Sequence, residues 1–324
     1  MNDFIHFAYA LSGADRGRAL RESDEIAAAL ADPAPAWVHM QADHPGTRTW
    51  IETHLAYLPE PVRDALLASE TRPRALLHGE GALVILRGVN TNPDEEPEDM
   101  VSIRMWVSEG RVISLGKRRL ASLWQLADEV AAGEGPERSG ALLCRLLELL
   151  CRHIETHLTA LDDEGDMLEA QVLKGPAPDL RARVTDMRGE LVDLRRFLIP
   201  QREAAGLLAR EHVDVLHEDD RLRLSESQDQ LMRAVEEVES LRDRLVVVKD
   251  ELTTALSDQL NRNLYLLSVI SVVFLPLGVL TGLMGINLAG MPGAAWPPAF
   301  WVFTGILLVI VALQVVILRR LGWL

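Results

Sequence analysis

The sequence predicts an α+β cytoplasmic domain, an α/β sheet followed by long helices, joined to two C-terminal transmembrane helices. Three observations lead there. Strand-like alternation is confined to roughly the first 135 residues. Helical periodicity without strands takes over beyond it. And no Asp, Glu, Lys, Arg or His lies between Arg262 and Arg319, an uncharged run of 56 residues in a chain of 324 that is 25% charged. The rest of the composition narrows the class. The chain has 33 Lys and Arg against 48 Asp and Glu, a net charge of −15, which argues against nucleic acid as a partner. At 48% hydrophobic it is not a disordered chain, and its two cysteines cannot build a disulfide framework.

Within residues 1–135 the spans Phe4–Leu11, Ala36–Gln41, Ala82–Val89, Met100–Val107 and Arg111–Leu115 read as strands. Thr47–Tyr57, Pro61–Ala68 and Leu120–Ala131 read as helices, and Asn90 to Asp94 as a loop. The strand order is not readable. Residues 136–262 form a helical region that includes the start of a long stalk helix. Leu142–Leu161 places Leu142, Leu146, Leu149 and Leu150 on one face. Gly175-Pro176-Ala177-Pro178 breaks the chain. Leu180–Ile199 is a second helix, ended or kinked by Pro200. A third pattern begins near Arg221 and meets no Pro or Gly until Pro276. Carried to Met284 it gives a helix of roughly 63 residues and about 95 Å, which needs lateral partners.

The uncharged run divides into residues 263–284, a loop at 285–299, and residues 300–318, with a basic tail at 319–324. Each apolar segment is close to the roughly 20 residues that cross a hydrocarbon core. Trp296, Trp301 and Trp323 flank the second span as interface anchors. Arg262, Arg319 and Arg320 mark the other side, and the loop is uncharged. The positive-inside rule then puts both termini in the cytoplasm and the loop outside. Asp3, Asp15 and Arg16 interrupt any signal peptide at the start.

One face of the long helix carries a stripe of residues spaced by three or four. It runs through Asp250, Thr254, Ser257, Asn261, Leu264, Ser268, Ser271, Leu275, Gly278 and Gly282. Small and hydroxylated residues in a membrane serve either close helix packing or a water-facing pore lining. The stripe alone leaves both open. Two spans cannot enclose a pore, so the pore reading demands a homo-oligomer.

The first span ends in Gly285-Ile286-Asn287, with Phe274-Leu275-Pro276 upstream and Leu288 to Gly293, rich in glycine, downstream. This arrangement resembles the CorA family of divalent-cation transporters, whose signature at this place is Gly-Met-Asn. It is most similar to the ZntB zinc-transporter branch, which has an aliphatic residue where Ile286 stands and a glycine-rich loop; the magnesium branch usually has acidic residues in this loop, and here there are none. Ser69 to Arg74, Arg195 to Arg202 and the terminal Trp323-Leu324 also resemble ZntB segments. The resemblance covers essentially the whole chain. It implies a funnel-shaped homopentamer in membrane lipid, with the first span of each copy lining the pore. Gly285, Ile286 and Asn287 would form the selective outer mouth. The implied activity is Zn²⁺ uptake coupled to a proton gradient, with Zn²⁺ efflux or a Mg²⁺, Co²⁺ or Ni²⁺ channel as alternatives. No covalently bound cofactor is expected.

The residues allow some chemistry to be read. A ring of Asn287 amides would hold a hydrated ion weakly enough to release it, whereas rings of His or Cys would bind Zn²⁺ tightly. Leu264 and Leu275 are either dewetting constrictions or packing residues. Asp250 either draws cations inward or is a solvated carboxylate. Residues 1–262 carry −17, since Arg319 and Arg320 are the only charges beyond them, and this would concentrate cations. The runs Glu218-Asp219-Asp220 and Glu236-Glu237-Val238-Glu239 could contribute. His153 and His157 sit four apart near Cys151, a spacing that fits either a regulatory metal site or a polar helix surface. Cys144 and Cys151 read as core. No Gly-rich phosphate loop, nucleophile elbow or carboxylate pair is present in residues 1–262, so the chain is not read as an enzyme.

Overall fold

A computed structural model describes residues 3–69, 71–175, 179–286, 293 and 296–322. The chain forms two units, Met1–Lys249 and Asp250–Leu324.

The first unit contains six strands: β1 (Ile5–Ala10), β2 (Ala36–Gln41), β3 (Arg74–His78), β4 (Gly81–Gly88), β5 (Val101–Ser108) and β6 (Arg111–Gly116). They form one sheet in the order β1-β2-β6-β5-β4-β3. Only β2 and β6 run parallel, pairing Ala36 with Arg111 through Gln41 with Gly116; the other pairs are antiparallel. The central strands are buried on both faces, which explains their near-continuous apolar runs. Three short helices, α1 (Ser23–Ala31), α2 (Pro45–His54) and α3 (Glu60–Leu67), pack on one face. Ile26, Leu30, Trp50, Ile51, Val62 and Leu66 meet Val38, Met40, Leu83, Trp106, Ile113 and Leu115 there. The helix α4 (Ala121–Ala131) brings Trp124 edge-on to Phe7 of β1, whose ring also meets Trp37 and His39.

Three long helices follow: α5 (Ser139–Lys174), α6 (Leu180–Arg210) and α7 (Glu218–Gly285). The leucine face of α5 is fully enclosed at Leu142, Leu146, Leu149 and Leu150. Pro200 does not end α6, which continues ten residues beyond it. Buried Leu194 and Leu198 before the proline and Ala204, Ala205 and Leu208 after it hold the helix through the break. That packing outweighs the roughly 3 kcal/mol an interior proline costs.

The roots of α5 and α7 are clasped together. Asp220, wholly buried in the first turn of α7, accepts from Arg138 Nη1 at 2.6 Å, Arg138 Nη2 at 3.1 Å and the backbone N–H of His217 at 3.1 Å. Its carboxylate also sits at the positive end of the helix dipole. Gly140 is required beside it, because a Cβ there would lie 2.2 Å from Val215 O and 2.9 Å from Asp220 Oδ2. Within this unit α7 buries Leu224, Leu231, Val235, Val238, Leu241 and Leu245 at helical spacing. The second unit holds the remainder of α7 and α8 (Ala299–Arg320).

Candidate functional site

The stripe lies on an unbroken helix. Asp250, Thr254, Ser257, Asn261, Leu264, Ser268, Ser271, Leu275, Gly278 and Gly282 all belong to α7, and all ten are exposed in the single chain. Their alternating steps of four and three make a seven-residue recurrence, which keeps one face toward a common seam when helices supercoil. The 18-residue apolar windows of α7 and α8 are each only 6% buried. Helices this apolar need lipid or further helices around them, and their length and composition suit a membrane crossing.

Hydroxyls on and beside the stripe spend their hydrogens on their own helix. Ser268 donates to Leu264 O at 2.9 Å, Ser271 to Leu267 O at 2.8 Å and Thr254 to Asp250 O at 3.0 Å. A serine or threonine oxygen has two lone pairs and one hydrogen, so these residues present acceptors outward. Leu264 and Leu275 interrupt them with apolar side chains that are 53% and 68% exposed. Gly278 and Gly282 have open space where a Cβ would stand. Gly278 also borders a shallow groove toward α8, lined by Phe274, Leu277, Thr281, Thr304, Leu308 and others. At the end of α7, Gly285 is its last helical residue and Ile286 is exposed. Asn287, Leu288 to Pro292 and Trp323-Leu324 lie outside the described residues, as do Glu70 and Pro176 to Pro178. Trp296 and Trp301, read as interface anchors, are largely exposed.

The histidine pair is not assembled into a metal site. The ring of His153 turns to Ser122 of α4, with Nδ1 2.8 Å from Oγ, and Nε2 of His157 lies 2.7 Å from Glu190 Oε1 of α6. Four residues apart on α5, the two rings serve different neighbours. Burial, then Arg152, holds His153 below its ordinary pKa. Among the described residues no group of three or more His, Cys, Asp or Glu could hold a metal ion. Cys144 and Cys151 are buried, as their leucine-rich setting predicts, and burial pushes both thiols up to about 12. Parts of the acidic runs are also committed within the fold. Asp220 belongs to the clasp and Glu239 pairs with Arg195 at 3.0 Å. Burial, then Asp162 and Glu155, raises the pKa of Glu237. Asp250 remains exposed on the stripe.

Sequence reasoning misses two polar residues that organise the molecule. Arg87, at the end of β4, donates to Thr71 O at 2.9 Å and Met100 O at 2.7 Å and stacks 4.0 Å over the Phe197 ring. Its backbone N–H donates to Gln201 Oε1 at 2.7 Å. The segments Ser69–Arg74 and Arg195–Arg202, far apart in sequence, therefore meet at one arginine. The second is Gln314, the one amide side chain of α8, whose Nε2 lies 3.3 Å from Val272 O of α7.

A sheet-bearing unit with long helices, followed by two exposed helical segments long and apolar enough to cross a membrane, fits the class of membrane-inserted proteins. The chain belongs to the CorA family: the family model described as "CorA-like Mg2+ transporter protein" matches residues 33–320. It is thus a transporter rather than an enzyme. It is 35% identical over 98% of its length to the divalent cation transporter CmaX of Pseudomonas aeruginosa, covering 96% of that protein. It is 32% identical over 98% of its length to the zinc transport protein ZntB of Yersinia pseudotuberculosis, covering 95%. The solved structure of full-length CmaX matches 99% of this chain and 98% of its own, with a TM-score of 0.81 and 34% identity.

Proposed function

We propose that the chain moves divalent cations across the bacterial inner membrane through a pore lined by the α7 stripe of several copies, Zn²⁺ being the preferred ion. Family membership supports the divalent cation, and the name of the ZntB relative supports zinc. The observation that carries the pathway is the exposed row of acceptors on α7. A hydrated cation points its water hydrogens outward. It therefore meets acceptors favourably, whereas a hydrated anion would require donors.

Five copies, as the family resemblance implies, would place five stripes about one axis, with both termini in the cytoplasm. Asp250 then gives a ring of carboxylates at the inner end of the path. Leu264 and Leu275 give apolar rings that close by dewetting. Gly285, Ile286 and Asn287 stand at the outer mouth, where neutral amides bind a hydrated ion loosely enough for it to pass. Uptake of Zn²⁺ is coupled to an inward proton gradient. Ion uptake into proteoliposomes tests this reading. Zinc flux that exceeds magnesium flux, rises with an inward proton gradient and is lost in Asn287→Ala supports it. Magnesium flux indifferent to pH, with little zinc flux, makes the protein a magnesium channel and overturns the zinc assignment.

A further inference from the structure

Pro276 lies inside α7, within its apolar segment. Proline has no N–H, so the carbonyl four residues earlier loses its helical donor. That carbonyl belongs to Val272, and it is the one Gln314 reaches from α8, with Nε2 at 3.3 Å. In hydrocarbon a carbonyl without a donor is costly, and neighbouring helices commonly supply one at proline breaks. Gln314 is also the sole amide in α8, whose remaining residues before the terminal arginines are apolar apart from Thr304 and Gly305. Thr304 turns its hydroxyl to Phe300 O of its own helix, at 2.9 Å. The one polar side chain that crosses between the helices here, among the described residues, is thus placed at the one backbone group the proline leaves open.

The contact is a loose one. At 3.3 Å it lies beyond the usual N–H···O range. The other end of the side chain is not held, because the enclosed Gln314 Oε1 accepts from nothing among the described residues. Pro276 immediately follows Leu275 of the stripe and precedes Gly278. A change in bend at the proline therefore shifts Gly278 and Gly282 relative to Ser268 and Ser271.

We propose that Gln314 is a positioning residue for transport: it latches the proline break of α7 by supplying the hydrogen bond that Pro276 withholds from Val272. This rests on α7 lining the ion path. The latch matters only while residue 276 lacks an N–H. Pro276→Ala restores the helical donor, and the bond from Gln314 is then no longer the one that keeps Val272 O satisfied.

The test is a two-by-two set in full-length protein: wild type, Gln314→Leu, Pro276→Ala and the double variant. Ion flux in proteoliposomes and thermal unfolding in detergent are measured on each. With Pro276 present, Gln314→Leu is expected to lower the maximal flux about fivefold with KM unchanged, equivalent to about 1 kcal/mol at 1.4 kcal/mol per decade. In the Pro276→Ala background, the same replacement is expected to change flux by less than twofold. Melting temperature follows the same pattern, falling on loss of Gln314 only in the Pro276 background. An equal loss of flux or stability in both backgrounds makes Gln314 an ordinary packing residue and overturns the latch. Coupled melting temperatures with uncoupled flux confine it to folding and overturn its role in transport. A wild type that carries no divalent cation removes the transport reading itself, and the latch as a transport device falls with it.

Discussion

Replacing Asp220 with alanine should loosen the base of α7 by about 3 kcal/mol. The carboxylate is wholly enclosed, accepts both Arg138 nitrogens and holds the His217 N–H at the helix start. Removing one partner of a buried pair costs roughly 3–5 kcal/mol when the other is left without water. Here the Arg138 side chain is 41% exposed and rehydrates, which places the loss at the lower end. The unpartnered His217 N–H keeps it from falling further. For a unit of this size about 3 kcal/mol corresponds to a melting temperature lower by roughly 6–12 °C. Asp220→Asn keeps an acceptor and the shape of the side chain and should lose less than half as much. Intrinsic-fluorescence melting of the full-length protein in detergent reads both. Arg138→Ala combined with Asp220→Ala should be less destabilising than the sum of the single changes, because the two side chains act as one unit. Asp220→Ala melting within 1 °C of wild type, or strict additivity with Arg138→Ala, would mean that this pair does not hold the base of α7.

Three further outcomes follow from the first unit. His39 is enclosed, and burial, reinforced by His6 and opposed by Ser114, pushes its pKa down to about 3. A depressed histidine contributes fully above about pH 6.5, and its contribution is lost at up to about 1.4 kcal/mol per unit as pH falls toward 3. The stability of wild type should therefore drop more steeply below pH 6 than that of His39→Gln, by about one proton in the pH slope; parallel slopes would contradict this. Arg87→Met should cost about 2–3 kcal/mol through loss of its bonds to Thr71 and Met100, read as a lower melting temperature. Cys144 and Cys151, both buried with thiols near pKa 12, should resist maleimide in native protein at pH 7 and react only on unfolding.

Elements carried by local pattern are legible in the sequence. Ala36–Gln41 reads as a strand with the bounds the structure gives it, because a fully buried strand is a short apolar run. β3 escapes such a reading: Arg74–His78 is a five-residue edge strand preceded by Pro73, and its apolar residues do not alternate with polar ones. α1 escapes it because Ser23–Ala31 buries only Ile26 and Leu30. The continuation of α6 past Pro200 depends on leucines and alanines packed on both sides of it, which a local proline rule ignores. The stripe is legible because a recurrence of seven on a single helix is a property of sequence. The clasp between Arg138 and Asp220 spans 82 residues, and the Gln314 contact spans 42. Neither has a local signature, since each exists only once two helices have been brought side by side.

Transport as proposed here requires the α7 stripe to face the ion. This is tested most directly by placing single cysteines in the first span and treating transporting proteoliposomes with a charged, water-borne thiol reagent. The native cysteines are buried and give no background. Ser268→Cys and Ser271→Cys should be modified, and modification should block flux. Leu280→Cys lies nine residues from Ser271, and at about 100° per residue it is on the opposite side of the helix, so it should be untouched. Blocking at Leu280 with indifference at Ser268 and Ser271 would turn the stripe away from the path and place another face of α7 along it.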